Sequence, residues 1–266
     1  MNRVSLRLWR QEYECEFLGT GETYVAGDIL SDLHENISDE YYTLYNRALR
    51  IFKEPNPAYE YLIAVDTSLG REQDHTAFHV INTYNGEQVA EFYSKSTPIN
   101  EAAKIVATVG ANYNMALCVP ERNTIGLNLI DHLNQLEYEN IWVDGKGKQG
   151  FQVGAQNREN CLAIMEELIR TRRLKLNSKR TTLELLTFIV NDVGKAEADE
   201  GCYDDLVMSL AIGCFVLQDM LSTTPMEHEL GLHNEIHSDL YKTGFEHHVP
   251  TLGGISKEDL RWLIGK

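Results

Sequence analysis

The chain has no long apolar run. No stretch approaches the ~18 consecutive apolar residues that suggest a membrane-spanning helix, so no membrane association is expected. The N-terminal MNRVSLRLWRQEYECEF is charged throughout and lacks the apolar centre of a signal peptide, which argues against secretion. The five cysteines (Cys15, Cys118, Cys161, Cys202 and Cys214) are an odd number without a CxxC pair. Neither a zinc site nor a disulfide framework is indicated, and a reduced, intracellular setting fits best. There is no GxxxxGK[ST]. The nearest stretch, GKGKQG (145–150), lacks the spacing and the following Ser or Thr of a phosphate-binding loop, so no ATP hydrolysis is expected. Internal repeats are absent. Positive charge is scarce as well: 24 Lys and Arg stand against 40 Asp and Glu, a net charge of −16. Taken globally, that opposes nucleic acid as a partner.

What remains is ordinary in bulk and uneven in detail. The 266 residues are 43% hydrophobic and 24% charged, enough for one large domain or two small ones. Residues 145–180 hold nine basic side chains and three acidic ones, so this segment is +6 and the rest of the chain −22. Lys146, Lys148, Arg158, Arg170, Arg172 and Arg173 are therefore candidates for contacts with a polyanion. The competing reading is a solvated helix face whose cations complement the helix dipole.

The apolar patterning gives the element order. EYLIAVDTSL (60–69), MALCVPE (115–121) and NIWVDG (140–145) read as buried strands, and 75–96 as a hairpin around Asn85-Gly86. Residues 100–114, 126–136, 157–174 and 204–221 read as helices, while 181–191 fits either a helix or a strand. Residues 1–57 are irregular and end in the breaker EPNP, with one short strand expected at 13–18. Residues 222–266 are polar and carry five of the nine histidines, as an exposed tail would. Three strands followed by strand–helix alternation imply a mixed α/β sheet with helices on its faces.

Three acidic positions stand where an acid is costly. Asp66 interrupts the run Leu62–Val65, Glu121 follows the strand Leu117–Val119, and Asp204 and Asp205 open the apolar helix. Carboxylates at the C-terminal ends of buried strands are a common placement for active-site groups. Converging carboxylates raise one another's pKa, and a divalent cation with a preference for hard oxygen ligands removes the conflict. Each acid has a plainer role: Asp205 as a helix cap and Asp204 as its dipole partner, Asp66 in a turn, Glu121 in an ion pair. His75 and His79 share one face of their strand, where a surface role is expected.

The combination resembles the RNase H-like nucleases and, more closely, the C-terminal nuclease domain of the large terminase subunit of T4-like tailed phages. AVDTSLGREQDHTAFHVIN (64–82), VPERNTIGLNLIDHL (119–133) and YDDLVMSLAIGCF (203–215) carry the resemblance. RQEYECEFLG (10–19) is similar to the junction between terminase ATPase and nuclease domains. The resemblance implies an RNase H-like mixed five-stranded sheet flanked by helices. It places a lead-in from an ATPase domain at 1–57, the nuclease at 58–221 and a C-terminal tail at 222–266.

The same resemblance implies a metal-dependent endonuclease using two Mg²⁺ or Mn²⁺ ions. Asp66 would bridge them, with Glu121, Asp204 and Asp205 completing the sites and Asp74 at most an outer acid. It further implies double-stranded DNA as substrate, with the ATPase domain, the portal protein and the small terminase subunit as partners in the host cytoplasm. The basic GKGKQG stretch would be a DNA-contacting loop, and the tail, with His233 and His237 four residues apart, would face the portal. Rival readings are another RNase H-like enzyme, such as a Holliday-junction resolvase, and a catalytically silent DNA- or portal-docking module.

Overall fold

The structure, a computed structural model, describes residues 22–37, 41–67 and 76–223. The strand expected at 13–18, Asp74, His75 and the histidines of the tail lie outside them. The described elements run β1 (Glu22–Thr23), α1 (Gly27–Asn36), β2 (Tyr42–Leu44), β3 (Leu49–Ile51), β4 (Tyr61–Asp66), β5 (Thr76–Asn82), β6 (Gln88–Ser94) and α2 (Ile99–Asn112). There follow β7 (Leu117–Pro120), α3 (Thr124–Gln135), α4 (Ala155–Arg170), α5 (Lys179–Leu186), β8 (Phe188–Val190), β9 (Ala196–Ala198) and α6 (Asp205–Thr223). Among the described residues, no helix is long and apolar enough to cross a membrane.

The main sheet is mixed and six-stranded, in the order β2-β3-β6-β5-β4-β7. β4 and β7 are parallel, and the other neighbours are antiparallel. All seven residues of β5 are buried, so its near-continuous apolar run follows from helices covering both faces of the sheet. The two-residue alternation of β4 sends Leu62 and Ala64 to a core with α4 and α6, and Ile63 and Val65 to a second core with α2 and α3. The contact with α6 is close: a Cβ on Gly213 would lie 3.0 Å from Ala64 and 3.2 Å from Ile81. α6 is apolar nearly all round because it is buried nearly all round, from Leu206 to Ala211 without interruption.

Three expectations need correction. The stretch 140–145 forms no strand: Ile141 makes a single bridge to Cys118, and Val143 bridges back to Gln149. Asp144 takes the chain out of the ladder by accepting hydrogen bonds from the backbone N–H groups of Lys146 and Lys148. The sheet nevertheless exceeds five strands, because residues 42–51, expected within a lead-in, add a hairpin at the opposite edge. That hairpin has no turn signal in the sequence. Tyr45, Asn46 and Arg47 all adopt left-handed backbone, at φ 50°, 54° and 69°, without a glycine. Residues 22–37 also pack on the body, with Val25 and Leu30 fully buried.

The ambiguous stretch 181–191 is both helix and strand, divided at Thr187 between α5 and β8. α4 ends at Arg170 with Thr171 as its C-cap, and Arg172 turns left-handed at φ 58°, so Arg172 and Arg173 lie beyond the helix expected to carry them.

Candidate active site

Asp66 is the last residue of β4, and the pleat puts it on the face of Leu62 and Ala64, toward α6. Glu121 follows the neighbouring parallel strand, where its backbone N–H donates to Val65 O at 2.8 Å. Both acids therefore stand at the C-terminal edge of adjacent parallel strands. Asn123 ties this edge together. Its Oδ1 accepts from the N–H groups of Ile125 (3.0 Å) and Gly126 (2.7 Å), capping α3, while its Nδ2 donates to Glu121 Oε2 at 2.9 Å. The first turn of α3 comes so close that a Cβ on Gly126 would fall 1.7 Å from Glu121 O.

Asp204 and Asp205 approach from the start of α6. Arg158, in the first turn of α4, donates to Asp204 Oδ2 at 3.1 Å and to Ala196 O at 2.7 Å, with its guanidinium over the Phe188 ring.

The electrostatics show the four acids as one group. The Asp66 carboxyl is held well above the usual carboxylate range, first by burial, then by the charge of Glu121 and a hydrogen bond shared with it, then by Asp205 and Asp204. Asp204 is raised by burial and by Asp205, against the pull of Arg158. A divalent cation bound among these acids would offset the charge that holds Asp66 up. The donor set is all oxygen, which suits Mg²⁺ or Mn²⁺. As placed, no three acidic, His or Cys side chains among the described residues are gathered closely enough to hold one ion.

The basic candidates divide into separate groups. Lys146 and Lys148 sit in an ordered turn organised by Asp144, which also receives Arg122 Nη2 at 2.9 Å. The Lys148 backbone N–H first, then Arg122 and Lys146, hold the Asp144 carboxyl down to about 2. This turn lies beside Glu121, because Phe151 pairs with Glu121 and accepts from the Arg122 N–H. Arg158 belongs to Asp204.

Arg170, Arg172 and Arg173 lie at the other end of the sheet. Arg170 pairs with Glu166, and Arg172 with Asp32. The next residues, Leu174 and Lys175, run beside the β5–β6 turn, where Lys175 N–H donates to Gly86 O. Asp66 pairs with Ala77 and Tyr61 with Asn82, which puts roughly 17 Å of strand between the two ends.

Sequence reasoning passed over Asn123 and Glu184. Asn123 has a readable signal, an Asn directly before Thr-Ile-Gly at a helix start. Glu184 is a lone acid in the apolar run LELL, the same signal that singled out Asp66. His79, expected on a strand surface, is fully buried, because β5 has no solvent face.

No protein-family model matches the chain. Solved structures do. The large terminase nuclease from thermophilic phage G20c with bound cobalt aligns over 70% of this chain and 96% of its own length, at 18% identity and a TM-score of 0.56. The same nuclease with bound magnesium gives the same figures. The Thermus phage P74-26 large terminase nuclease domain aligns over 70% of this chain and 93% of its own, at 19% identity and a TM-score of 0.54. The fold of this chain is that of the large terminase nuclease domains, an RNase H-like mixed sheet with helices on its faces.

Proposed function

We propose that this chain is the nuclease of a phage DNA-packaging terminase of the T4-like type, cutting concatemeric double-stranded DNA when packaging begins and ends. One observation carries the reading. Asp66 and Glu121 stand at the ends of adjacent parallel strands, tied by the Glu121 N–H to Val65 O bond, and the charges of Glu121, Asp205 and Asp204 help to hold the buried Asp66 carboxyl up. Such a cluster needs positive charge to be stable when ionised. The likeness to nuclease structures bearing cobalt, magnesium and zinc supports a divalent metal here.

In this reading Asp66, Glu121, Asp204 and Asp205 would together hold two divalent ions, Mg²⁺ or Mn²⁺. The ions, when bound, supply activation of a water and stabilisation of the leaving 3′-oxygen. The chain supplies the rest. Asn123 orients Glu121, Arg158 orients Asp204, and Lys146 and Lys148 meet phosphates beside the site. Arg170, Arg172 and Arg173 would meet the duplex farther along. Contacts to phosphate carry little base preference.

The chain before 58 would connect to a packaging ATPase, with residues 22–37 and 42–51 built into the nuclease body, and the stretch after 221 would be a tail facing the portal. The small terminase subunit is a further partner, and the host cytoplasm the setting. The test is direct. Plasmid incubated with this protein and Mg²⁺ or Mn²⁺ is degraded, and EDTA stops it; intact plasmid under both metals refutes the reading.

A further inference from the structure

We propose that Glu184, with His79, is a positioning residue that fixes the acidic start of α6 and so the placement of Asp204 and Asp205 at the site. The inference rests on the metal-site reading above.

A helix leaves its first N–H groups without partners inside the helix, and a side chain at its own start usually accepts from them. Asp204 and Asp205 are residues of that type in that place. Here the acceptor comes from another helix. Glu184 Oε1, in α5, accepts from Leu206 N–H at 2.6 Å and from Val207 N–H at 3.0 Å.

The carbonyl of the same Leu206 is held from the sheet. His79 Nε2, in β5, lies 3.0 Å from Leu206 O. Its tautomer follows from its neighbours. Gln88 Oε1 accepts from the N–H groups of Asn177 and Ser178, so the amide nitrogen of Gln88 faces His79 Nδ1 at 2.7 Å and donates to it. The ring proton is then on Nε2, directed at Leu206 O. Burial lowers the His79 pKa and keeps the ring neutral.

Leu206 is therefore gripped at both backbone groups, by two buried side chains from two different elements, immediately after the acidic pair. Neither side chain is among the groups that shift Asp66. Each acts through the backbone that carries Asp204 and Asp205. The arrangement holds the backbone that brings the charges of Asp205 and Asp204 near enough to raise Asp66.

The test is calorimetric titration of Mn²⁺ into the whole chain, with unfolding temperature measured beside it. Glu184→Ala should weaken Mn²⁺ binding about tenfold or more, the usual effect of losing an outer partner of a metal ligand. Glu184→Gln retains the accepting oxygen and should stay within about threefold of the parent. A folded Glu184→Ala protein that binds Mn²⁺ like the parent overturns the proposal, as does a Glu184→Gln protein as weak as the alanine variant. If Glu184→Ala does not fold, His79→Leu releases the carbonyl side of Leu206 and should weaken binding several-fold; parental affinity there also overturns it. Asp66→Asn serves as the control: unchanged Mn²⁺ binding in that variant would instead reject the metal site itself.

Discussion

The backbone N–H of Glu121 is bonded to the carbonyl of Val65, the residue immediately before Asp66. That single ladder bond brings together two carboxyls far apart in sequence and fixes their separation to that of neighbouring strands. The charge of Glu121 beside it, after burial, holds the Asp66 carboxyl above the usual carboxylate range.

Asp66→Asn should abolish cleavage and, in EDTA, raise stability at neutral pH. The sign follows from linkage. The folded Asp66 pKa is raised above its unfolded value near ~3.9, so the folded state holds the proton longer. The associated stability is present below about pH 4 and is lost as pH rises through the folded pKa. Urea midpoints in EDTA should therefore fall from pH 4 upward, and Asp66→Asn should flatten the fall. Some slope should persist, because Asp204 and Glu184 are shifted the same way. An unchanged slope in Asp66→Asn would mean that Asp66 carries no strain.

The two ends of the sheet predict two kinds of basic mutant. Lys146→Glu with Lys148→Glu, beside Glu121, should weaken DNA binding and cleavage together. For every phosphate no longer neutralised, the salt slope of log K should fall by about 0.9. Arg172→Glu with Arg173→Glu, at the far end, should weaken binding to long duplexes and leave the cleavage rate at saturating DNA nearly unchanged. Anisotropy titrations at several salt concentrations, paired with saturating-DNA rates, separate the two. Equal effects of the two pairs on that rate would defeat the division.

Gly126→Ala is expected to be more harmful than a methyl suggests. The added carbon would fall 1.7 Å from the Glu121 carbonyl oxygen, so the first turn of α3 or Glu121 must move. Overpacking of this kind costs about 1–3 kcal/mol, and here it displaces a candidate ligand as well. A loss of stability should therefore come with a loss of activity greater than the unfolded fraction explains.

Much of the fold was legible in the sequence because apolar runs and costly acids are local signals. The strand ending at Asp66, the hairpin around Asn85-Gly86 and the apolar helix 205–223 each follow from their own residues. The hairpin of residues 42–51 did not, since its strands are three residues long and its turn uses Tyr45, Asn46 and Arg47 where glycine is usual. The basic segment 145–180 illustrates a different limit. Its cations are close in sequence, yet a helix of sixteen residues spans about 24 Å and carries them from Asp204 to the opposite end of the sheet. A charge count along the chain has no means of seeing that. Glu184 was hidden for a related reason: its partners are twenty-two and twenty-three residues away in another helix.

The four carboxyls have a consequence for biosynthesis. Asp66, Glu121 and the Asp204–Asp205 pair come from three distant parts of the chain, and the last of them joins only when α6 packs against β4. A ribosome making this protein exposes Asp66 and Glu121 long before Asp204 exists. On the proposed function, the nascent chain therefore lacks the complete acidic centre, and cleavage would wait until the closing helix has docked.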